Sequence, residues 1–207
     1  MILETVCVGP VQTNCYILAE KKDSPAIIID PGFEEKRIKK ILESYRLKPS
    51  FIINTHGHFD HIGGDECFGV DIYIHRKDLE LLKEPQLNLS SFFALPHQLN
   101  SKKIKVLEDN EIIKLDNISL RVIHVPGHTP GSIALKMESP ADKILFTGDT
   151  LFCQGIGRTD LPGADEACLL NSIRKRLLVF ADDTVIYPGH GPSSTLGREK
   201  KFNSFLS

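Results

Sequence analysis

Between a short apolar run at residues 51–54 and the pair Gly63-Gly64, the chain places three imidazoles and a carboxylate within six residues: His56, His58, Asp60 and His61. The apolar run reads as a buried strand. Gly57 interrupts any helical pattern directly after it, and Gly63-Gly64 closes the segment. The four polar side chains are therefore expected on a loop at a strand's C-terminal end. Clustered there, they are costly to bury without a partner and serve nothing if left exposed. A metal cation is the partner that suits them best.

Three further candidate ligands follow, each in a Gly- or Pro-bearing turn after an apolar run: His128 after residues 122–125, Asp149 after 144–146, and His190 after 185–187. Neutral imidazoles and carboxylates suit zinc and the intermediate first-row metals. The seven groups exceed what one tetrahedral ion takes and match two ions sharing a bridge. Loops at one edge of a rigid sheet pair can gather such distant residues. Gly127, Gly148 and Gly189 each immediately precede a candidate ligand, where glycine lets the backbone turn tightly enough to aim the next side chain inward. Ordinary turn punctuation is the competing account of each.

Composition narrows the class. With 207 residues, 41% hydrophobic and 25% charged, the chain is expected to form one globular domain over residues 1–207 with a large core. A net charge of −2 with no basic stripe argues against nucleic-acid binding. No apolar run reaches membrane-spanning length, and no secretory leader is visible at the start. The five cysteines are odd in number, widely spaced and never in a Cys-x-x-Cys pair. That pattern fits reduced thiols in the cytoplasm. Cys153 lies near Asp149, where a small buried side chain is the default and a ligand the alternative. The sequence names no protein partner.

Strand and helix signals alternate in two blocks. Residues 2–8, 15–18, 26–29, 51–54 and 71–74 are short runs rich in β-branched residues. Residues 34–47 carry Ile38, Ile41, Leu42 and Tyr45 at helical spacing, an amphipathic helix. Residues 76–83 read as a short helix, and 84–101, which hold Pro85 and Pro96, mainly as a long loop. The second block has strands at 112–115, 118–125, 132–137 and 143–146, a helix at 169–178 and a last strand at 184–187. Two such halves form a sandwich of two packed sheets with helices outside.

The segments Thr-His-Gly-His-Phe-Asp-His, Pro-Gly-His-Thr-Pro-Gly-Ser, Gly-Asp-Thr-Leu-Phe and Pro-Gly-His-Gly resemble the metal motifs of the metallo-β-lactamase superfamily. Their order and spacing resemble its compact glyoxalase II-like members over essentially the whole chain. The resemblance implies an α/β fold, the four-layer αβ/βα sandwich. It also implies one metal on His56, His58 and His128, a second on Asp60, His61 and His190, and Asp149 bridging them. Di-iron oxidoreductive members typically have Glu where this chain has His58, and the commonest β-lactamases Cys where it has Asp149. The run Gly155-Ile156-Gly157-Arg158-Thr159-Asp160 is similar to a compact bacterial glyoxalase II-like subgroup and also to persulfide dioxygenases. Larger glyoxalase II enzymes carry a C-terminal helical domain that contacts glutathione; only 17 residues follow His190 here, so a weak grip on the thiol half is expected.

The implied chemistry is hydrolysis of a small-molecule thioester of the S-lactoylglutathione type to a hydroxy acid and a thiol. Two divalent metal ions, zinc foremost with iron or manganese as alternatives, acidify a shared water that attacks the carbonyl. Asp60 is expected both to bind metal and to orient that water. The runner-up is oxygen-dependent persulfide oxidation at a single iron on His56, His128 and Asp149. A non-catalytic structural zinc protein is disfavoured, because closed structural sites are usually rich in Cys. Arg158 either binds a substrate carboxylate or pairs with Asp160. His124 is expected to pack or support a ligand, His75 and His97 to lie at the surface, and Tyr16 in the core. Arg198, Lys200 and Lys201 either replace missing basic contacts or form a solvated helix face.

Overall fold

The computed structural model describes residues 1–138 and 143–206. Its first sheet has six strands in sequence order: β1 (Ile2–Val8), β2 (Thr13–Ala19), β3 (Pro25–Ile29), β4 (Lys48–Ile53), β5 (Asp71–His75) and β6 (Ile104–Leu107). β1 to β3 pair antiparallel, and β3 to β6 run parallel. The second sheet contains β7 (Ile112–Leu115), β8 (Ile118–His124), β9 (Ile133–Met137), β10 (Ile144–Gly148), β13 (Val185–Pro188) and β14 (Ser194–Thr195). Its order is β14-β13-β10-β9-β8-β7, and only β10 and β13 pair in parallel. A small ribbon, β11 (Leu151–Phe152) with β12 (Gly155–Ile156), stands between β10 and the helix α3 (Glu166–Ser172).

Side-chain alternation divides the apolar residues into three layers. Tyr16, Leu18, Ile27, Ile29 and Ile53 face Leu120, Val122, Leu135 and Phe146 of the other sheet. The alternate residues Cys15, Ile17, Ala26, Ile28 and Ile52 pack outward against Ile38 and Leu42. Those two lie one helical turn apart on α1 (Glu35–Ser44). On the far side, Ile123, Ala134, Leu145 and Ile186 meet Leu169, Ile173 and Leu177 of α3 and the π-helical turn that follows it. Leu196, which opens α4 (Leu196–Phe202), joins that layer. The result is a helix–sheet–sheet–helix sandwich. Strands buried on both faces read as continuous apolar runs, which is why they were visible in the sequence.

Four details depart from the sequence reading. The histidine-rich segment is not wholly loop: Phe59–Ile62 forms one helical turn, α2, with the amides of His61 and Ile62 donating to the His58 carbonyl. Gly57 precedes this turn and so does not forbid it. Helix α1 stops at Ser44 because Arg46 takes a left-handed φ of 54°. The Leu47 amide then reaches back to the Leu42 carbonyl at 2.7 Å and the Arg46 amide to Glu43 at 3.0 Å. This helix end usually uses glycine, so Arg46 gave no stop signal. Residues 76–83 contribute only a 3₁₀ turn, Arg76–Asp78. β6 escaped notice because it is a four-residue edge strand carrying a lysine.

β4, β8, β10 and β13 all deliver their C-terminal ends to one edge of the sandwich, and the candidate ligands follow them. The two sheets are tied there: the Asn14 amide donates to the Gly189 carbonyl at 2.7 Å, and Tyr16 Oη to the Pro188 carbonyl at 2.5 Å. Tyr16 is buried, as expected. Among the described residues no helix is long and apolar enough to cross a membrane.

Candidate metal centre

All seven sequence-derived ligands converge. His56, His58 and His128 form one triad of donor atoms mutually within 4.8 Å, and Asp60, His61 and His190 form another; Asp149 joins His56 and His61 within the same limit. Asp149 faces both sides. Its Oδ1 lies 3.4 Å from His61 Nε2, and its Oδ2 lies 3.7 Å from His128 Nε2 and 3.5 Å from His190 Nε2. Asp60 Oδ2 stands 3.4 Å from His61 Nε2 and 3.2 Å from His190 Nε2, and accepts a 3.0 Å hydrogen bond from Thr13 Oγ1.

Backbone carbonyls orient two of the rings. His128 Nδ1 lies 2.9 Å from the Arg158 carbonyl and His190 Nδ1 lies 3.1 Å from that of Val11. In the tautomers these contacts select, each Nδ1 donates and each Nε2 keeps its lone pair toward the centre. Asp30 makes a charge contact behind the His61 ring, with Oδ2 2.9 Å from Nδ1. The Thr55 amide and hydroxyl both donate to Asp30 at 2.7 Å, so this carboxylate positions the start of the ligand loop as well. Asp78 ties two ligand loops together. It accepts from Gly57 N at 2.9 Å, Thr129 Oγ1 at 2.7 Å and Gly131 N at 2.6 Å.

The glycines before the ligands serve two different needs. Gly127 and Gly148 have φ of 139° and 48°, which a side chain would resist. Gly189 needs no unusual φ; a Cβ there would lie 2.0 Å from Asp149 Oδ1. Space for the carboxylate, not backbone freedom, requires that glycine.

The electrostatics divide the centre. Burial, then the neighbouring imidazoles, holds His56 well below its ordinary pKa and lowers His58 to about 3. Both rings are neutral, the state in which imidazole binds a cation. Burial also opposes charge on His61, but Asp60, Asp30 and Asp149 outweigh it and raise that ring well above the ordinary value. For Asp149, burial is outweighed by His61, which holds the carboxyl low. The Asp60–His61–His190 side is thus a place that stabilises positive charge. His56 Nε2, His61 Nε2 and Asp149 Oδ1 are buried without a hydrogen-bond partner, a costly state that coordination relieves. The residues fit divalent metals on both counts.

Other candidates fall outside the cluster. Cys153 is half-buried and joins none of the converging groups among the described residues. His124 supports the centre indirectly: its Nε2 lies 2.9 Å from the Pro130 carbonyl, within the turn that carries His128. His75 is not at the surface as expected but 3% exposed, stacked on His124 with ring centroids 4.1 Å apart. His97 is half-buried. Arg158 pairs with Asp160 through bonds of 2.9 and 2.7 Å, and also lines the cavity above the centre. Lys200 is engaged by Asp182 at 2.6 Å. The sequence reading missed Asp30 and Asp78. Asp30-Pro31-Gly32 follows an apolar run as the ligands do, a signal that was available; Asp78 lies in a charged turn and offered none.

A model of the metallo-β-lactamase superfamily matches residues 8–190. The chain belongs to that superfamily. It is 37% identical to the hydroxyacylglutathione hydrolase GloC of Haemophilus influenzae, over 100% of this chain and 99% of that protein. Among solved structures, the BLEG-1 B3 metallo-β-lactamase superposes with a TM-score of 0.92 at 36% identity, covering 100% of both chains. TTHA1623, solved in a di-iron-bound form, gives 0.85 at 35% identity over 98% of this chain and 100% of that one. The metallo-β-lactamase fold of this chain is thereby shown, and it gathers a His/Asp cluster that could hold divalent metals.

Proposed function

We propose that this protein hydrolyses small-molecule thioesters of the S-lactoylglutathione type, using two divalent cations, zinc foremost. The observation that carries the proposal is Asp149 facing two complete triads at once, with GloC aligned along its full length in support. A single-iron persulfide dioxygenase on His56, His128 and Asp149 is the second reading, and the metal content of the active form separates the two.

His56, His58 and His128 would hold one cation and Asp60, His61 and His190 the other, with Asp149 shared. When bound, such a pair supplies Lewis-acid activation of a water and of the thioester carbonyl. The cavity above the centre, about 290 Å³, is of small-molecule size. Its floor presents His58, Asp60, His128, Asp149 and His190; Val11, Leu89, Phe93, Phe152 and Leu161 exclude water around it. Asp60, fixed by Thr13, orients the attacking water. The oxygen of that water bonds to the carbonyl carbon, the carbon–sulfur bond breaks, and the released proton passes to the departing thiolate. The three histidines lining the cavity all belong to the ligand set, so none is free as a general acid. A thiolate leaves without one.

The test is turnover by the chain reconstituted separately with zinc and, anaerobically, with iron, with S-lactoylglutathione, a β-lactam and a persulfide assayed in parallel and oxygen uptake recorded. Thioester cleavage with release of free thiol is expected. Oxygen consumption without thioester cleavage would overturn the hydrolase.

A further inference from the structure

Beside the metal-facing cavity lies a second chamber of about 340 Å³. The two share Leu89, Phe93, Arg158 and Leu161, and Phe92 and Pro162 extend the apolar lining of the second. Its charged groups, Arg158 and Asp160, are bonded to each other through both arms of the guanidinium fork. A substrate carboxylate reaching Arg158 would have to displace Asp160. An anionic group there only exchanges one exposed ion pair for another, whereas an apolar group finds a matching wall.

The wall is fastened in place. Asn88 is buried, its Nδ2 donating to the carbonyls of Leu81 and His97 at 2.9 Å and its Oδ1 accepting from Ser90 N at 3.0 Å. The Asn88 carbonyl accepts from Phe59 N at 2.9 Å, and the Phe59 ring lies 4.7 Å from that of Phe93. This segment is thus anchored to the helical turn that carries Asp60 and His61. Leu89 and Ala94 hold φ of 70° and 54°, a left-handed conformation disfavoured for any residue with a Cβ. Such backbone persists where surroundings impose it, and it gathers at binding sites. Here it turns Leu89 into both chambers. Phe92 is 72% and Phe93 49% exposed, apolar area that a ligand would remove from water.

We infer that the second chamber takes an apolar chain or ring attached to the scissile carbonyl, making medium-chain or aryl acyl thioesters better substrates than short ones. The inference rests on the thioester reading above. The thiol half of an S-acylglutathione is a charged peptide, which a chamber without free charge suits poorly. The acyl half belongs in the chamber and the thiol half at the open mouth.

The experiment compares kcat/KM for acetyl-, lactoyl-, butanoyl-, hexanoyl- and phenylacetyl-glutathione on the zinc-reconstituted full chain. Each buried methylene is expected to raise kcat/KM about three- to fourfold, so the hexanoyl thioester should exceed the acetyl by at least about tenfold. Leu89→Gly relieves the backbone while removing the apolar side chain, and Phe93→Ala removes the ring. In both, the hexanoyl-to-acetyl ratio should fall to within about threefold of one, with metal content unchanged as proof of an intact centre. A flat series with short thioesters still cleaved overturns the chamber assignment and leaves the hydrolase standing. So does a preference that survives both substitutions. Cleavage of no thioester overturns both.

Discussion

Asp30 Oδ2 stands 2.9 Å from His61 Nδ1, so a carboxylate 31 residues upstream places negative charge behind the ring whose Nε2 faces the centre. The same carboxylate accepts from Thr55 N and Oγ1 and thereby fixes where the ligand loop leaves β4. Asp30→Asn removes one of the charges that raise His61 while keeping the side chain's shape. Its affinity for the second cation should fall about 10- to 100-fold, with the first largely retained. Competition against a chelator of known affinity measures both; equal loss at both positions would refute the assignment of Asp30 to His61.

Asp149→Ala should lower occupancy of both cation positions, because its carboxylate lies beside His61 and His190 of one triad and His128 of the other. Elemental analysis after reconstitution should drop from about two ions per chain, and thioester turnover should fall by at least about 100-fold. Loss at one position with activity retained would contradict a bridge.

Asp78→Ala leaves the Gly57 and Gly131 amides and the Thr129 hydroxyl without their shared acceptor. A buried donor left unpaired costs about 1–3 kcal/mol, so a loss of roughly 2–4 kcal/mol is expected after partial relaxation. Denaturant unfolding measures it. Asp78→Asn, which retains an acceptor oxygen, should recover part of the loss.

The buried His75 predicts a pH dependence. Burial, then its neighbour His124, lowers the His75 pKa to about 4, below the roughly 6.5 of an unfolded histidine. The unfolded state therefore binds the proton first as pH falls. The stability that His75 contributes is complete above about pH 6.5 and is lost progressively as pH falls through 4. In the metal-loaded protein, His75→Phe should flatten that acid limb relative to wild type in Tm-against-pH curves. An unchanged limb would remove His75 as its cause.

The sequence by itself determined the layers and the ligands. Strands buried on both faces must be apolar throughout, so β2, β3 and β10 announced themselves, and Ile38 and Leu42 marked the inner face of α1. His and Asp residues placed after such strands have few uses besides a metal, so all seven groups that converge were legible as candidates. Only the tertiary structure decided what surrounds them. Asp30 and Asp78 act through partners far away in the chain, and nothing local in a charged turn distinguishes a buried Asp78 from a solvated one. His75 looked superficial until β8 brought His124 against it. Gly189 looked like a turn until Asp149 filled the space its side chain would need. Local pattern records which face of an element is buried; hydrogen-bond partners and steric neighbours come from other elements, and only packing brings those together.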